Sequence, residues 1–112
     1  MLTQNASHLQ RMFVEKEKFS TLIEETHRYM SKLEDGKRLI VVKKLLGITE
    51  IWRDDINSPR VVIVEDFSGG KFIIPENNTG HPKAVSCCFL VRKGHQISIQ
   101  IKDGRVSSAF FI

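Results

Sequence analysis

Apolar residues recur at helical spacing over the first third of the chain and at strand spacing afterwards. Leu9, Met12, Phe13, Phe19, Leu22, Ile23, Met30 and Leu33 stand three, four or seven positions apart. They form one apolar stripe, which predicts a helix from Ser7 to Glu34. Ser7 with Gln10 matches a capping box, and Gly36 is a natural stop. Thr21 with Glu24 is a second match, so the spacing allows a break near residues 19–20. The mixed-sign run Glu15-Lys16-Glu17-Lys18 reads as a solvated face.

The pattern from Lys37 to Leu46 serves either period. Leu39-Ile40-Val41-Val42 is rich in β-branched residues, while Leu39, Val42, Leu45 and Leu46 also fit a helical stripe. A strand is the preferred reading. Gly47 is expected to end it, with a further short strand from Ile48 to Arg53 and a loop from Asp54 to Pro59. Arg60 to Phe67 and Lys71 to Ile74 then make a hairpin around Ser68-Gly69-Gly70. Pro75 to Pro82 (PENNTGHP) is irregular and polar, a reasonable place for contacts.

Turns divide the last third into Ala84 to Arg92, His95 to Lys102 and Arg105 to Ile112. Lys93-Gly94 and Asp103-Gly104 separate these three strands, and Asp-Gly suits the left-handed dihedrals of a two-residue type I′ turn. Counting outward from both turns places Leu90, Cys88, Ile97, Ile99, Ile101, Val106 and Phe110 on a core face. The opposite face then carries three rows: Val91, Gln96 and Phe111; Phe89, Ser98 and Ala109; Cys87, Gln100 and Ser107. A slip of one residue would exchange the faces. Apolar residues on both faces mean that one helical layer cannot cover the sheet. Phe89, Val91, Ala109 and Phe111 are therefore the candidate protein interface, since rimmed apolar patches on small proteins tend to be contact sites. Cover by the chain's own earlier strands is the competing expectation.

The expected fold is one α+β domain over residues 1–112. Its N-terminal helix packs on one face of an antiparallel meander of about five to six strands. A chain of 112 residues supports one core, and 41% hydrophobic with 27% charged residues is ordinary globular usage. The N-terminal stretch MLTQNASHLQRMF lacks a continuous apolar region, so no signal peptide is expected. No apolar run reaches the roughly 20 residues a membrane helix needs. Cys87 and Cys88 are adjacent, too close for an unstrained disulfide, and read as one packed and one semi-exposed thiol. Free thiols suit a reducing compartment and a cytoplasmic protein.

Chemistry is sparse. His8, His27, His81 and His95 lie far apart with no metal-ligand spacing, and no nucleophile elbow or phosphate loop is present. No catalytic residue, metal or cofactor is expected. A net charge of +4 permits an anionic partner without demanding one. Nucleic-acid contacts would come from Lys43, Lys44, Arg92, Lys93 and Arg105, with Lys37, Arg38 and Lys102 nearby in sequence, although the aromatic signature of sheet-type RNA binders is missing. Three functions stay open. The first is a non-enzymatic protein-binding module of inhibitor, immunity or adaptor type, acting on another protein or on a second copy of itself. The second is a nucleic-acid-binding domain using the basic turns. The third is a small-ligand binder with a pocket between helix and sheet, which requires a gap in the packing of Met12, Phe13, Phe19 and Met30.

Overall fold

The computed structural model describes residues 17–48, 60–77 and 79–112, the side chain of Phe89 excepted. Helix α1 covers residues 17–30 without a break at 19–20. It stops short of Glu34. Ser31 N–H still reaches the His27 carbonyl, but Lys32 and Leu33 donate only three residues back, to Tyr29 and Met30. Such tightening marks a helix end. Phe19, Leu22, Ile23, Met30 and Leu33 all pack into the core, as the stripe requires. Thr26, a polar position facing the same way, is fully buried and donates its hydroxyl to the Leu22 carbonyl at 2.7 Å. Leu9, Met12, Phe13 and the Ser7 capping box lie outside the described residues.

Five strands follow: β1 (Gly36–Ile48), β2 (Val61–Asp66), β3 (Lys71–Pro75), β4 (Gln96–Lys102) and β5 (Arg105–Phe111). They form one antiparallel sheet in the order β3-β2-β1-β4-β5, with α1 packed against it, an α+β fold. The chain lays down β1, β2 and β3 side by side, then returns to set β4 against the free edge of β1. That is a Greek-key connection. The sheet curls until its two edge strands, β3 and β5, approach one another.

β1 makes the curl possible. It runs 13 residues, through Gly47 rather than stopping there. Its first half pairs with β4 and its second half with β2, with register shifts between Val42 and Lys44 and between Leu45 and Gly47. Bulges of this kind bend a strand and sharpen its twist. The expected short strand from Ile48 to Arg53 is thus absorbed at Ile48, and its remainder lies outside the described residues. α1 packs tightly over Gly47, since a Cβ there would sit 2.6 Å from the Phe19 ring.

The β2–β3 hairpin turns at Ser68-Gly69-Gly70 as its sequence predicts. Asp66, buried, holds the turn: its Oδ1 accepts from the Ser68 N–H, the Ser68 hydroxyl and the Gly70 N–H. Val62-Ile63-Val64 and Phe72-Ile73-Ile74 are buried on both faces, which explains their unbroken apolar character.

The C-terminal segment departs from its expected registration in two places. Ala84 to Arg92 is not a strand. Only Ala84 bridges to β5, opposite Phe110, and Cys88–Leu90 form a 3₁₀ turn. Val85, Cys88 and Val91 point inward at intervals of three, while Leu90, expected in the core, is 53% exposed. The edge of β4 reserved for this segment is occupied by β1. The second departure is in β5. Asp103 and Gly104 have φ of +52° and +72°, both left-handed as a type I′ turn demands, and Lys102–Arg105 and Ile101–Val106 pair as expected. Beyond them Gln100 pairs with Ser108 instead of Ser107. Ser107 is the extra residue of a bulge, its hydroxyl donating to the Gln100 carbonyl at 3.2 Å. One inserted residue exchanges the faces of everything after it.

Candidate functional site

The bulge at Ser107 and the pairing of β4 with β1 together decide which side chains face outward. Ile97, Ile99 and Ile101 face the core as expected, opposite Phe111, Ala109 and Val106. The proposed interface residues therefore do not share an exposed face. Val91 and Ala109 are buried in the core, and Phe111 is half-buried and packed against it. The Phe89 backbone lies in the 3₁₀ turn, away from any sheet row. Phe110, expected inside, is outside.

A different apolar group takes their place. Directly opposed residues share a face, so the outward rows are Lys37–Gln100–Ser108, Leu39–Ser98–Phe110 and Val41–Gln96, the last continued by Ile112, whose N–H donates to the Gln96 carbonyl at 3.0 Å. Leu39 is 59% and Ile112 65% exposed, while Val41 and Phe110 are half-buried. His81 lies edge-on to Phe110, with ring centroids 5.2 Å apart. Gln96, Ser98 and Gln100 form the outward polar column that the alternation of β4 predicts. Their neighbours on both sides are the ones the sequence did not disclose.

The basic residues fall into two groups. The N–H of Val42 donates to the His95 carbonyl and the Gly94 N–H donates to the Val42 carbonyl, so the loop carrying Arg92 and Lys93 lies against β1 just before Lys43 and Lys44. These four cations are exposed. The loop is braced by His95, whose Nδ1 accepts from the Arg92 N–H at 3.0 Å and whose ring lies 5.1 Å from that of Phe111. Arg105 is not with them. It pairs with Lys102 at the far end of β4, about 20 Å away along a strand of 7 residues.

The two thiols are free and differ as expected, Cys88 buried and Cys87 half-buried. Burial, then the neighbouring Glu76 carboxylate, pushes the Cys88 thiol up to about 12. Glu76 also accepts the Cys88 N–H at 3.2 Å, tying the irregular segment after β3 to the 3₁₀ turn. A neutral, enclosed thiol is a poor nucleophile. Among the described residues no three acidic, cysteine or histidine side chains converge as metal ligands, and no helix is long and apolar enough to cross a membrane.

A cavity lies between helix and sheet among the described residues. It measures about 310 Å³ and is lined by His27 and Met30 of α1, Val61 of β2, Ile73 and Pro75 of β3, and Arg105 and Val106 of β5. It lies at the Met30 end of the helix, away from Phe19.

Comparison with protein-family models, with curated proteins and with solved structures finds no match for this chain.

Proposed function

We propose that this chain is a small non-enzymatic protein-binding module, of the inhibitor, immunity or adaptor kind, that docks a partner on the outer face of β1, β4 and β5. One observation carries the reading: Leu39, on the central strand of the sheet, is 59% exposed. A leucine there contributes nothing to the isolated fold, and with Val41, Phe110 and Ile112 it makes a compact apolar group around the polar column of β4. Three rows across three strands span about 300 Å². A stable complex buries about 800 Å² per partner. The group therefore serves as the desolvated centre of a larger contact, with Lys37 and the Arg92–Lys93 loop as a basic rim suited to an acidic partner surface. Two free thiols support a reducing, cytoplasmic setting.

Capture from the native host with wild type and Leu39→Asp tests this, combined with light scattering to separate a foreign partner from a second copy. A partner retained by wild type and lost by the folded variant is the expected outcome. Equal capture by both removes the outer face from consideration.

The convergence of Lys43, Lys44, Arg92 and Lys93 favours a second reading, nucleic-acid binding. Four phosphate contacts would give a log–log salt slope of about −3. Weak, salt-insensitive binding to random-sequence DNA or RNA would eliminate it.

A further inference from the structure

We infer that the cavity between α1 and the β3–β5 seam is a binding site for a small amphiphilic carboxylate, an aryl or medium-chain alkyl acid. Its walls are largely apolar, and it opens to solvent on one side: Met30, Ile73 and Val106 are buried, and Val61 and Pro75 are half-buried. Its volume of about 310 Å³ lies at the lower end of the range for small-molecule sites. The floor has no use for a polar ligand atom. The one backbone donor directed at Met30, the N–H of Ile73, is already taken by the Met30 sulfur at 3.4 Å. An inserted hydroxyl or amide would lose its water without recompense. The buried part of the ligand is thus hydrocarbon.

The mouth has the opposite character. Arg105 and His27 stand there exposed, and among the described residues no acidic side chain lines the cavity and Arg105 makes no ion pair. A guanidinium offers paired N–H donors whose spacing matches a carboxylate, and an imidazole adds a further donor. An apolar slot beneath an unengaged guanidinium selects an apolar tail with an anionic head. The cavity is separate from the outer sheet face, so the two sites can be tested apart.

The test is titration of the intact chain with octanoate, octanol and octylamine below their micellar concentrations, read by calorimetry and by the methyl signals of Met30, Ile73 and Val106. Octanoate should bind and shift those three methyls, with octanol weaker by about tenfold and octylamine weaker still. Arg105→Gln, an exposed substitution that leaves the fold alone, should bring octanoate down to the octanol level. Three results would overturn the inference: no shift of these methyls with octanoate, equal affinity for octanoate and octanol, or undiminished octanoate binding by Arg105→Gln. Loss of partner capture by Leu39→Asp with octanoate binding intact would confirm that the two sites are independent.

Discussion

Asp66 and Cys88 show how much a single buried polar group can decide. The Asp66 carboxylate satisfies two backbone donors and one hydroxyl in the β2–β3 turn. Asp66→Ala leaves those N–H groups unpaired and should cost about 1–3 kcal/mol in chemical denaturation. Asp66→Asn keeps an acceptor and should lose less. Cys88 makes a prediction about pH. Its thiol ionises at about 12 in the fold, against 9.0 when unperturbed. Above pH 9 the unfolded chain releases the proton while the folded chain retains it, so this contribution to stability is intact below pH 9 and declines from there to about pH 12. Cys88→Ala should flatten that alkaline decline. At neutral pH a thiol reagent should modify Cys87 well before Cys88. Equal rates would mean that the 3₁₀ turn opens readily.

At the scale of elements, the contact between α1 and β1 is set by a missing side chain. A Cβ at Gly47 would meet the Phe19 ring at 2.6 and 2.9 Å, and Phe19 is itself buried. Gly47→Ala should therefore destabilise by about 1–3 kcal/mol, the usual cost of overpacking. Shortening the contact in the same background, by Phe19→Leu, should recover part of the loss. Additive losses would show that the helix does not approach β1 there. The bulge in β5 has a similar role between strands. Deleting Ser107 would leave Val106 and Ser108 as consecutive partners of Ile101 and Gln100, with Ala109 and Phe111 still inward, so the fold should survive the deletion. Inserting one further residue beside Ser107 should cost more stability, because it forces either a larger bulge or an exchange of the two faces.

For the whole molecule, the two sheet faces should respond oppositely to the same change. Phe111 is half-buried against the core and the His95 ring, so Phe111→Ser should cost about 2 kcal/mol. Leu39 is mostly exposed, and Leu39→Ser should fall within about 0.5 kcal/mol of wild type. Ile99, fully buried between β1 and β5, should lose about 2–5 kcal/mol on truncation to alanine. A reversed ranking of Phe111 and Leu39 in denaturation midpoint would return the outer face to the residues that simple alternation predicts.

Local chemistry accounts for what the sequence determined alone. The α1 stripe from Phe19 to Leu33, the β2–β3 hairpin, the Asp103-Gly104 turn, the strand character of residues 37–46 and the inward face of β4 are each encoded by spacings or turn residues within a few positions. The α+β class follows from them. Tertiary structure decided the rest, because it depends on neighbours distant in sequence. Whether β4 accepts residues 84–92 or β1 as its partner is a competition between a local hairpin and a strand about 60 positions away. The longer loop prevailed because β1 buries Ile40 and Val42, while Val85, Cys88 and Val91 bury themselves from the irregular segment that contains the 3₁₀ turn. Their spacing of three was the available signal against a strand. The Ser107 bulge had no such signal, since Val-Ser-Ser-Ala alternates acceptably in either register. Only closure of the curled sheet, which brings Val106 toward β3 and leaves Leu39 and Phe110 outside, selects between them.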